Sequence, residues 1–157
     1  MAQIDVAVLT QAFQPGALLD RLGQGASGCG ATASFVGQVR SGGTLTALEL
    51  EHYPGVTENA LQRIADHACG RWSLHRAIIV HRVGRMEIGD PIVFVGAAAP
   101  HRRAALDGVS FMIDVLKTQA PFWKKEITAS GSRWVEPRAD DNEAAAAWLE
   151  KTEEVSK

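Results

Sequence analysis

Two lysines, Lys117 and Lys124, lie on either side of a proline and an aromatic pair in the segment LKTQAPFWKKE. The apolar spacing before the proline predicts that Lys117 closes a long helix, and the residues after it predict that Lys124 opens a strand. Such a turn can bring two ammonium groups into one pocket with an apolar wall, where crowded cations lower each other's pKa. Lysines in that setting can act in acid, base or nucleophilic catalysis near neutral pH. The alternative is a helix end that prefers cations, followed by a solvated strand.

The strand that begins at Phe122 should alternate its side chains between two faces. This alternation places Phe122, Lys124 and Glu126 on one face and Lys125 on the other. Glu126 can then orient a lysine or relay a proton within the same pocket. The alternative for Glu126 is a surface ion pair with a neighbouring strand, which would contribute less than about 1 kcal/mol.

Further cations occur where an anion could bind. His101 and Arg102 open the second long helix, where positive charges oppose the helix dipole by up to about 1 kcal/mol each. The arrangement makes sense if an anion binds the free N–H groups and these side chains together; the alternative is an exposed basic turn. Arg40 follows a predicted strand and precedes a Gly-Gly turn, and Arg138 follows the segment WVEP. Each of these two arginines can reach a phosphate or simply lie on the surface.

Composition limits the classes of protein that fit. The 157 residues, 46% of them apolar, suit one domain over residues 1–150, with a polar tail at 151–157 that we expect to fray. The net charge of −2 argues against a nucleic-acid-binding protein. Cys29 and Cys69 are too few for a disulfide framework, so a reduced cytosolic setting fits best. No stretch is long and apolar enough to span a membrane, and the N-terminus has the pattern of a strand rather than a signal peptide.

The order of the predicted elements is mixed and favours an α+β fold over a doubly wound sheet. Strands are predicted at Gln3–Thr10, Ala31–Val39, 48–52, Ala77–Val83, Ile92–Ala98, Phe122–Thr128 and Arg133–Val135. Helices are predicted at Pro15–Leu22, from an N-cap at Thr57 to Arg71, at His101–Thr118, and from Asp140 through Trp148. Gly37, inside the second strand, indicates a bulge or a close approach of two backbones.

Several familiar motifs are excluded by their context. Residues 23–28 spell GQGASG, a literal match to a dinucleotide-binding loop, but a helix precedes it and a strand follows, which is the wrong order. The histidines have no metal-ligand spacing, and there is no Gly-x-Ser-x-Gly elbow of a serine hydrolase. Trp123 beside Lys124 could stack on single-stranded nucleic acid, but the negative net charge argues against that function.

A family resemblance covers about Ala31 to Trp148. The segments that carry it are FVGQVR (35–40), LELEHYPGVTE (48–58), IIVHRVG (78–84), GDPIVFVGAAAPHR (89–102), IDVLKTQAPFWKKE (113–126) and RWVEPR (133–138). Together they resemble the large, catalytic subunits of molybdopterin synthase, and EHYPG combined with KTxAPFWK is the most specific part. The resemblance implies an α+β fold of the α/β-hammerhead type, with antiparallel sheets, two main helices and a short C-terminal helix.

The resemblance also implies a sulfurtransferase of molybdenum cofactor biosynthesis. Its substrate would be cyclic pyranopterin monophosphate, also called precursor Z, which gains two sulfurs as a dithiolene. The sulfur would come from a thiocarboxylate on the C-terminal Gly-Gly of a small ubiquitin-like subunit, within a heterotetramer built on a homodimer of large subunits. No metal or redox cofactor would be needed, because the sulfur arrives reduced and acyl-activated.

Carried over position by position, the resemblance implies two catalytic lysines, Lys117 and Lys124. It implies seven pocket residues: Phe35, Arg40, His101, Arg102, Met112, Glu126 and Arg138. The arginines and His101 would bind the phosphate, Lys117 would be the general acid and base, and Lys124 would hold the thiocarboxylate or an oxyanion. An alternative function is a non-catalytic scaffold that binds the tail of the sulfur carrier.

Overall fold

A computed structural model describes residues 1–25, 27–135 and 141–148. The strands are β1 (Gln3–Leu9), β2 (Ala31–Gln38), β3 (Leu45–His52), β4 (Arg76–Arg82), β5 (Gly84–Glu87), β6 (Pro91–Ala99), β7 (Phe122–Thr128) and β8 (Gly131–Val135). The helices are α1 (Pro15–Leu22), α2 (Val56–Trp72), α3 (Arg102–Gln119) and α4 (141–148).

The strands form two four-stranded sheets, ordered β1-β4-β6-β2 and β5-β3-β7-β8. The second sheet is antiparallel throughout, and the first contains one parallel pair, β1 with β4. A parallel pair needs a long crossover, and the chain between β1 and β4 supplies one. The predicted α+β class, with two main helices and a short helix near the C-terminus, is confirmed.

The first sheet has helices on both faces. On one face, α2 and α3 bury the apolar stripes that their spacing predicted, including Leu61 and Ile64 of α2 and Met112 and Leu116 of α3. On the other face, α1 packs its Leu22 against the sheet in a smaller cluster. The sheet is therefore a rigid platform, and the ends of α3 are fixed relative to it.

A third apolar cluster joins the two sheets. Leu48 and Leu50 of β3 and Met86 of β5 pack there with Val39, which follows β2, and Phe122 of β7 lies against them. This cluster ties the strand that carries Lys124 to the first sheet. The relative position of the two sheets is thus set by apolar packing.

Strand β5 was not predicted from the sequence. It has only four residues, begins at Gly84 and is followed by Gly89, and these two glycines have φ angles of 88° and 90°. A strand this short has too little alternation to be recognised locally. Its position comes from pairing with β3, which lets Met86 reach the core with no exposed surface.

The predicted N-cap of α2 was wrong. The helix begins at Val56, its N-cap is Gly55 with a φ of 84°, and the Glu58 carboxylate accepts a hydrogen bond from the Gly55 N–H. Thr57 lies inside the first turn and is completely buried. Its hydroxyl donates to the Pro121 carbonyl instead of capping the helix.

The irregularity predicted at Gly37 is confirmed. The register between β2 and β6 shifts between Gly37 and Gln38. A Cβ at Gly37 would lie 2.8 Å from the Cγ1 of Val93, which is closer than real contacts of this kind.

Within the described residues, no helix has the length and apolar character needed to cross a membrane.

Candidate active site

Lys117 and Lys124 lie on a rigid unit formed by the end of α3, a short turn and the start of β7. Lys117 is in the last turn of α3, and Lys124 is the third residue of β7. Ala120 between them is extended, with φ −82° and ψ 128°, because the residue before a proline avoids the helical region. The Phe122 N–H donates to the Ala120 carbonyl at 2.9 Å and closes the turn. Both lysines are exposed, so their amines are available to a bound molecule.

Phe122 lies two residues before Lys124 on the same face of β7, and a buried histidine packs against its ring. The rings of His81 and Phe122 stack with centroids 3.8 Å apart and an angle of 20°. Burial lowers the pKa of His81 to about 4; a hydrogen bond to the Arg82 carbonyl opposes this shift and the charge of His52 adds to it. His81 is therefore neutral at pH 7. This contact could not be predicted from the sequence, in which His81 is only a polar residue within an apolar strand.

Lys125 points to the opposite face of β7, as the predicted alternation requires. Its Nζ lies 4.6 Å from the centroid of the Trp134 ring, a cation–π contact with the residue directly opposite on β8. Lys125 is thus held by a partner on the outer face of the second sheet. It differs from Lys124 in position but not in chemical type.

Glu126 is engaged by an arginine. Its Oε2 lies 3.3 Å from the Nη2 of Arg133, its register partner on β8. Of the two roles that the sequence allowed for Glu126, the structure therefore shows the ion pair with a neighbouring strand. Lys117 has a carboxylate partner as well, since its Nζ lies 3.7 Å from the Oδ1 of Asp141 in α4.

Arg40 follows β2 on a backbone that is held from both sides. The Val39 N–H donates to the Asp90 carbonyl at 3.0 Å, and the Gly89 N–H donates to the Val39 carbonyl at 2.8 Å. Asp90 is itself fixed by an ion pair with Arg82 at 3.4 Å. The Arg40 side chain is exposed, and no ion pair or hydrogen bond holds it within the described part of the chain.

His101 and Arg102 open α3, as predicted. His101 is the N-cap residue in an extended conformation, its side chain makes no capping bond, and no acidic residue lies in the first turn. Both side chains are exposed, and neither has an ion-pair or hydrogen-bond partner among residues 1–25, 27–135 and 141–148. The free N–H groups of the first turn and these cations together could accept an anion.

The predicted cations that the structure describes fall into two groups, at opposite ends of α3 and of the first sheet. Arg102 and Lys117 are separated by most of α3, and at a rise of about 1.5 Å per residue that distance is about 22 Å. The first sheet gives the same result, because Ala31 pairs with Ala99 at one end and Gln38 pairs with Pro91 at the other. Arg40 therefore extends from the end opposite to His101.

Among the described residues of one chain, Arg102 and Lys117 lie too far apart along α3 to line one small cavity. Two well-formed surface cavities lie in the described part of the chain, one beside the C-terminus of α2 and one between α2, α3 and α4. Neither is lined by Arg40, Arg102, Lys117 or Lys124. The helix predicted at His101–Thr118 already implied the separation of Arg102 from Lys117, whereas the placement of Arg40 at the other end of the first sheet depends on the strand pairing.

Three predicted pocket residues remain. Phe35 is half-buried and packs against the core between the first sheet and its helices. Met112 belongs to that core and has no exposed surface, so its contacts in this chain are structural. Arg138 lies outside the described residues.

No cluster of three or more His, Cys, Asp or Glu side chains suited to a metal ion occurs in the described ranges.

Comparison with known proteins places this geometry in a family. The family model described as MoaE protein matches residues 8–119. The chain is 52% identical over 148 residues to a molybdopterin synthase catalytic subunit of Pseudomonas aeruginosa, covering 92% of this chain and 99% of that protein.

Solved structures agree with this assignment. A molybdopterin biosynthesis MoaE protein from Burkholderia ambifaria superposes with a TM-score of 0.79 at 46% identity, covering 94% of this chain and 98% of that one. A complex of subunits 1 and 2 of molybdopterin-converting factor from Helicobacter pylori shares the fold, with a TM-score of 0.74 at 21% identity over 85% of this chain and 91% of that one. The chain therefore belongs to the MoaE family, the catalytic subunits of molybdopterin synthase.

Proposed function

We propose that this chain transfers sulfur from the thiocarboxylated C-terminus of a small carrier subunit to cyclic pyranopterin monophosphate and so makes molybdopterin. The observation that carries the proposal is the rigid α3–β7 unit with Lys117 and Lys124 on either side of one turn, in a chain of this family. Two amines fixed beside an apolar wall suit a reaction in which an acyl group and protons are handled together.

The substrate is a phosphate ester, and the exposed cations are its natural ligands. Arg40, His101, Arg102 and Arg138 would bind the cyclic phosphate and then the opened monophosphate. The first turn of α3 adds backbone N–H donors to His101 and Arg102. Phe35 would contribute an apolar surface to the pterin, and Met112 would support that surface from the core.

Two copies of the chain would complete each site. His101 and Arg102 lie about 22 Å along α3 from Lys117, a distance beyond the reach of one bound pterin phosphate and these side chains. A homodimer in which the α3 N-terminus of one copy faces the α3–β7 turn of the other removes this separation. Each dimer would then hold two equivalent sites, each with a small subunit at its outer end.

The thin C-terminal tail of the carrier would lie against Phe122, with its thiocarboxylate at Lys124. The thiocarboxylate sulfur would first bond to a pterin carbon in place of an oxygen, which leaves as water or as the opened phosphate. Water would then add to the acyl carbon, Lys124 would stabilise the resulting oxyanion, and Lys117 would move the protons. Collapse of the oxyanion breaks the carbon–sulfur bond, which leaves the sulfur on the pterin and releases the carrier as a free carboxylate. Glu126 is paired with Arg133, so in this proposal it fixes β7 and β8 next to Lys124. We place the reaction in the cytoplasm, because Cys29 and Cys69 are free thiols.

Three single substitutions test the roles of the lysines. Lys117→Ala and Lys124→Ala should each lower turnover with the thiocarboxylated carrier by at least about 100-fold, a loss typical of removing an acid–base group. Lys125→Ala is the matched control, since it removes the same charge from the other face of β7 and should stay within about twofold of the unsubstituted protein. Full turnover in either of the first two variants would refute the catalytic assignment and favour a scaffold that only binds the carrier tail.

A mixed dimer tests the shared site. Arg102→Ala and Lys117→Ala should each be inactive as homodimers. Co-expression with two different affinity tags gives a heterodimer in which one of the two sites has both residues intact, so about half of the normal turnover should return. An inactive heterodimer, with both subunits shown to be folded, would mean that one chain supplies all the cations of its site.

A further inference from the structure

The turn between the two lysines is held by a side chain from a distant part of the sequence. Thr57, near the start of α2, has no exposed surface. Its hydroxyl donates to the Pro121 carbonyl at 3.4 Å, across 64 positions of sequence. Pro121 lies midway between Lys117 and Lys124, so the contact fixes the part of the chain that sets their spacing.

The geometry around Thr57 directs its hydroxyl proton to the turn. The Tyr53 N–H donates to the Thr57 Oγ1 at 3.2 Å, and the Thr57 N–H donates to the Tyr53 carbonyl at 2.9 Å. Because the oxygen already accepts a hydrogen bond from Tyr53, its single proton is free for Pro121. The hydroxyl and the backbone N–H of Thr57 thus both have hydrogen-bond partners, as burial requires.

No other side chain hydrogen-bonds to the turn within the described residues. The remaining bonds are the backbone contacts of Ala120 and Phe122, which close the turn on itself. The stack of Phe122 on His81 restrains the far side. Thr57 is therefore the one polar link, among the residues described, between the turn and α2.

Thr57 is not needed to begin α2. The N-cap is Gly55, and the Glu58 carboxylate caps its N–H. The rest of α2 is anchored by its apolar stripe, for example Leu61 and Ile64. The buried hydroxyl is left with a contact to the turn and a contact to Tyr53, and only the first bears on the lysines.

We infer that Thr57 is a positioning residue for sulfur transfer, and that its hydroxyl, through the Pro121 carbonyl, sets the distance between the Lys117 and Lys124 amines. The inference rests on the proposed function of these lysines. Because Thr57 has no exposed surface, it would touch neither the pterin nor the carrier tail. Its substitution should therefore lower kcat and leave the KM for both substrates nearly unchanged. A small displacement of a catalytic group can lower a rate by up to about 100-fold.

The test compares two substitutions at Thr57 in the assembled complex with the thiocarboxylated carrier. Thr57→Val keeps the shape but removes the hydroxyl, and it should lower kcat about tenfold or more with KM values within about twofold. Thr57→Ser keeps the hydroxyl and removes a methyl group, so its kcat should stay within about twofold. Ile64→Val is the control for a loss of packing in α2, because Ile64 is buried on the same helix and its side chain has no polar group to bond to the turn.

The outcomes separate this inference from the proposed function. Equal kcat in Thr57→Val and in the unsubstituted enzyme would overturn the inference, while inactive lysine variants would leave the proposed function standing. An equal loss in Ile64→Val, or in Thr57→Ser, would also overturn it, because general destabilisation would then explain the change. If Thr57→Val does not fold, Thr57→Cys replaces it, since a thiol is a weaker donor of similar size, and the same comparison with Thr57→Ser applies.

Discussion

Lys117 in the last turn of α3 and Asp141 in α4 form an ion pair, with 3.7 Å between Nζ and Oδ1. The two side chains keep 49% and 26% of their surface exposed, so solvent screens the pair. Asp141→Asn should change the free energy of unfolding by less than about 1 kcal/mol, as measured by urea denaturation. Because the proposed role of Lys117 requires its amine to reach substrate, turnover of Asp141→Asn should be at least as high as that of the unsubstituted enzyme. A loss as large as that of Lys117→Ala would instead make the carboxylate part of the catalytic machinery.

The burial of His81 predicts a specific pH dependence of stability. Its pKa falls from 6.5 to about 4 on folding, so between these values the unfolded chain binds more protons than the folded one. The contribution of His81 is therefore complete above pH 6.5 and is lost as the pH falls to 4, by about 3 kcal/mol in total.

Urea unfolding at several pH values from 7 to 4 measures this loss. His81→Asn retains a donor for the Arg82 carbonyl but does not titrate, so its stability should fall less over this range. His67→Gln, at an exposed position on α2, should keep the full dependence. Parallel curves for His81→Asn and the unsubstituted protein would contradict the assignment of the pH effect to His81.

Gly30 is required by the approach of two backbones next to the start of α3. A Cβ at this position would lie 2.3 Å from the carbonyl oxygen of Pro100, and neither backbone can give way cheaply. Gly30→Ala should lower the free energy of unfolding by about 1–3 kcal/mol. It should also lower the affinity for the pterin phosphate, because Pro100 precedes His101.

Gly70→Ala is the matched control for Gly30→Ala. Gly70 lies within α2, and a Cβ there would meet nothing within 4 Å. Because alanine favours a helix more than glycine does, the substitution should raise stability by about 0.5–1 kcal/mol. Thermal unfolding of both variants checks the opposite signs.

The two cysteines should differ in reactivity. Burial raises the pKa of Cys69 to about 11, and the nearby charge of Asp66 adds to the shift. The thiolate is the reactive form, so Cys69 should react slowly with iodoacetamide at pH 8 in the folded protein, and the partly exposed Cys29 should react faster. Mass spectrometry of peptides from the folded protein and from protein in urea measures this difference. Equal labelling of both cysteines in the folded state would contradict it.

Local chemistry was sufficient to predict most elements of this chain. Pro15 fixed the first residue of α1, the apolar spacing in α3 predicted the buried Met112 and Leu116, and Gly37 predicted an irregular strand. These features depend on dihedral preferences and on which side of an element faces the core, and a few adjacent residues determine both. The specific segments around EHYPG and APFWKK indicated the family for the same reason, since each is a contiguous string.

Only the tertiary structure decided which residues meet. The partner of Glu126 is Arg133 and the partner of Pro121 is Thr57, and both result from strand register and helix packing across the fold. The strand pairing of the first sheet places Arg40 and His101 at opposite ends of it, although their residue types suggested a single cavity. Sequence spacing determines where a residue lies along its own element, but the distance between two elements depends on the packing of all the others.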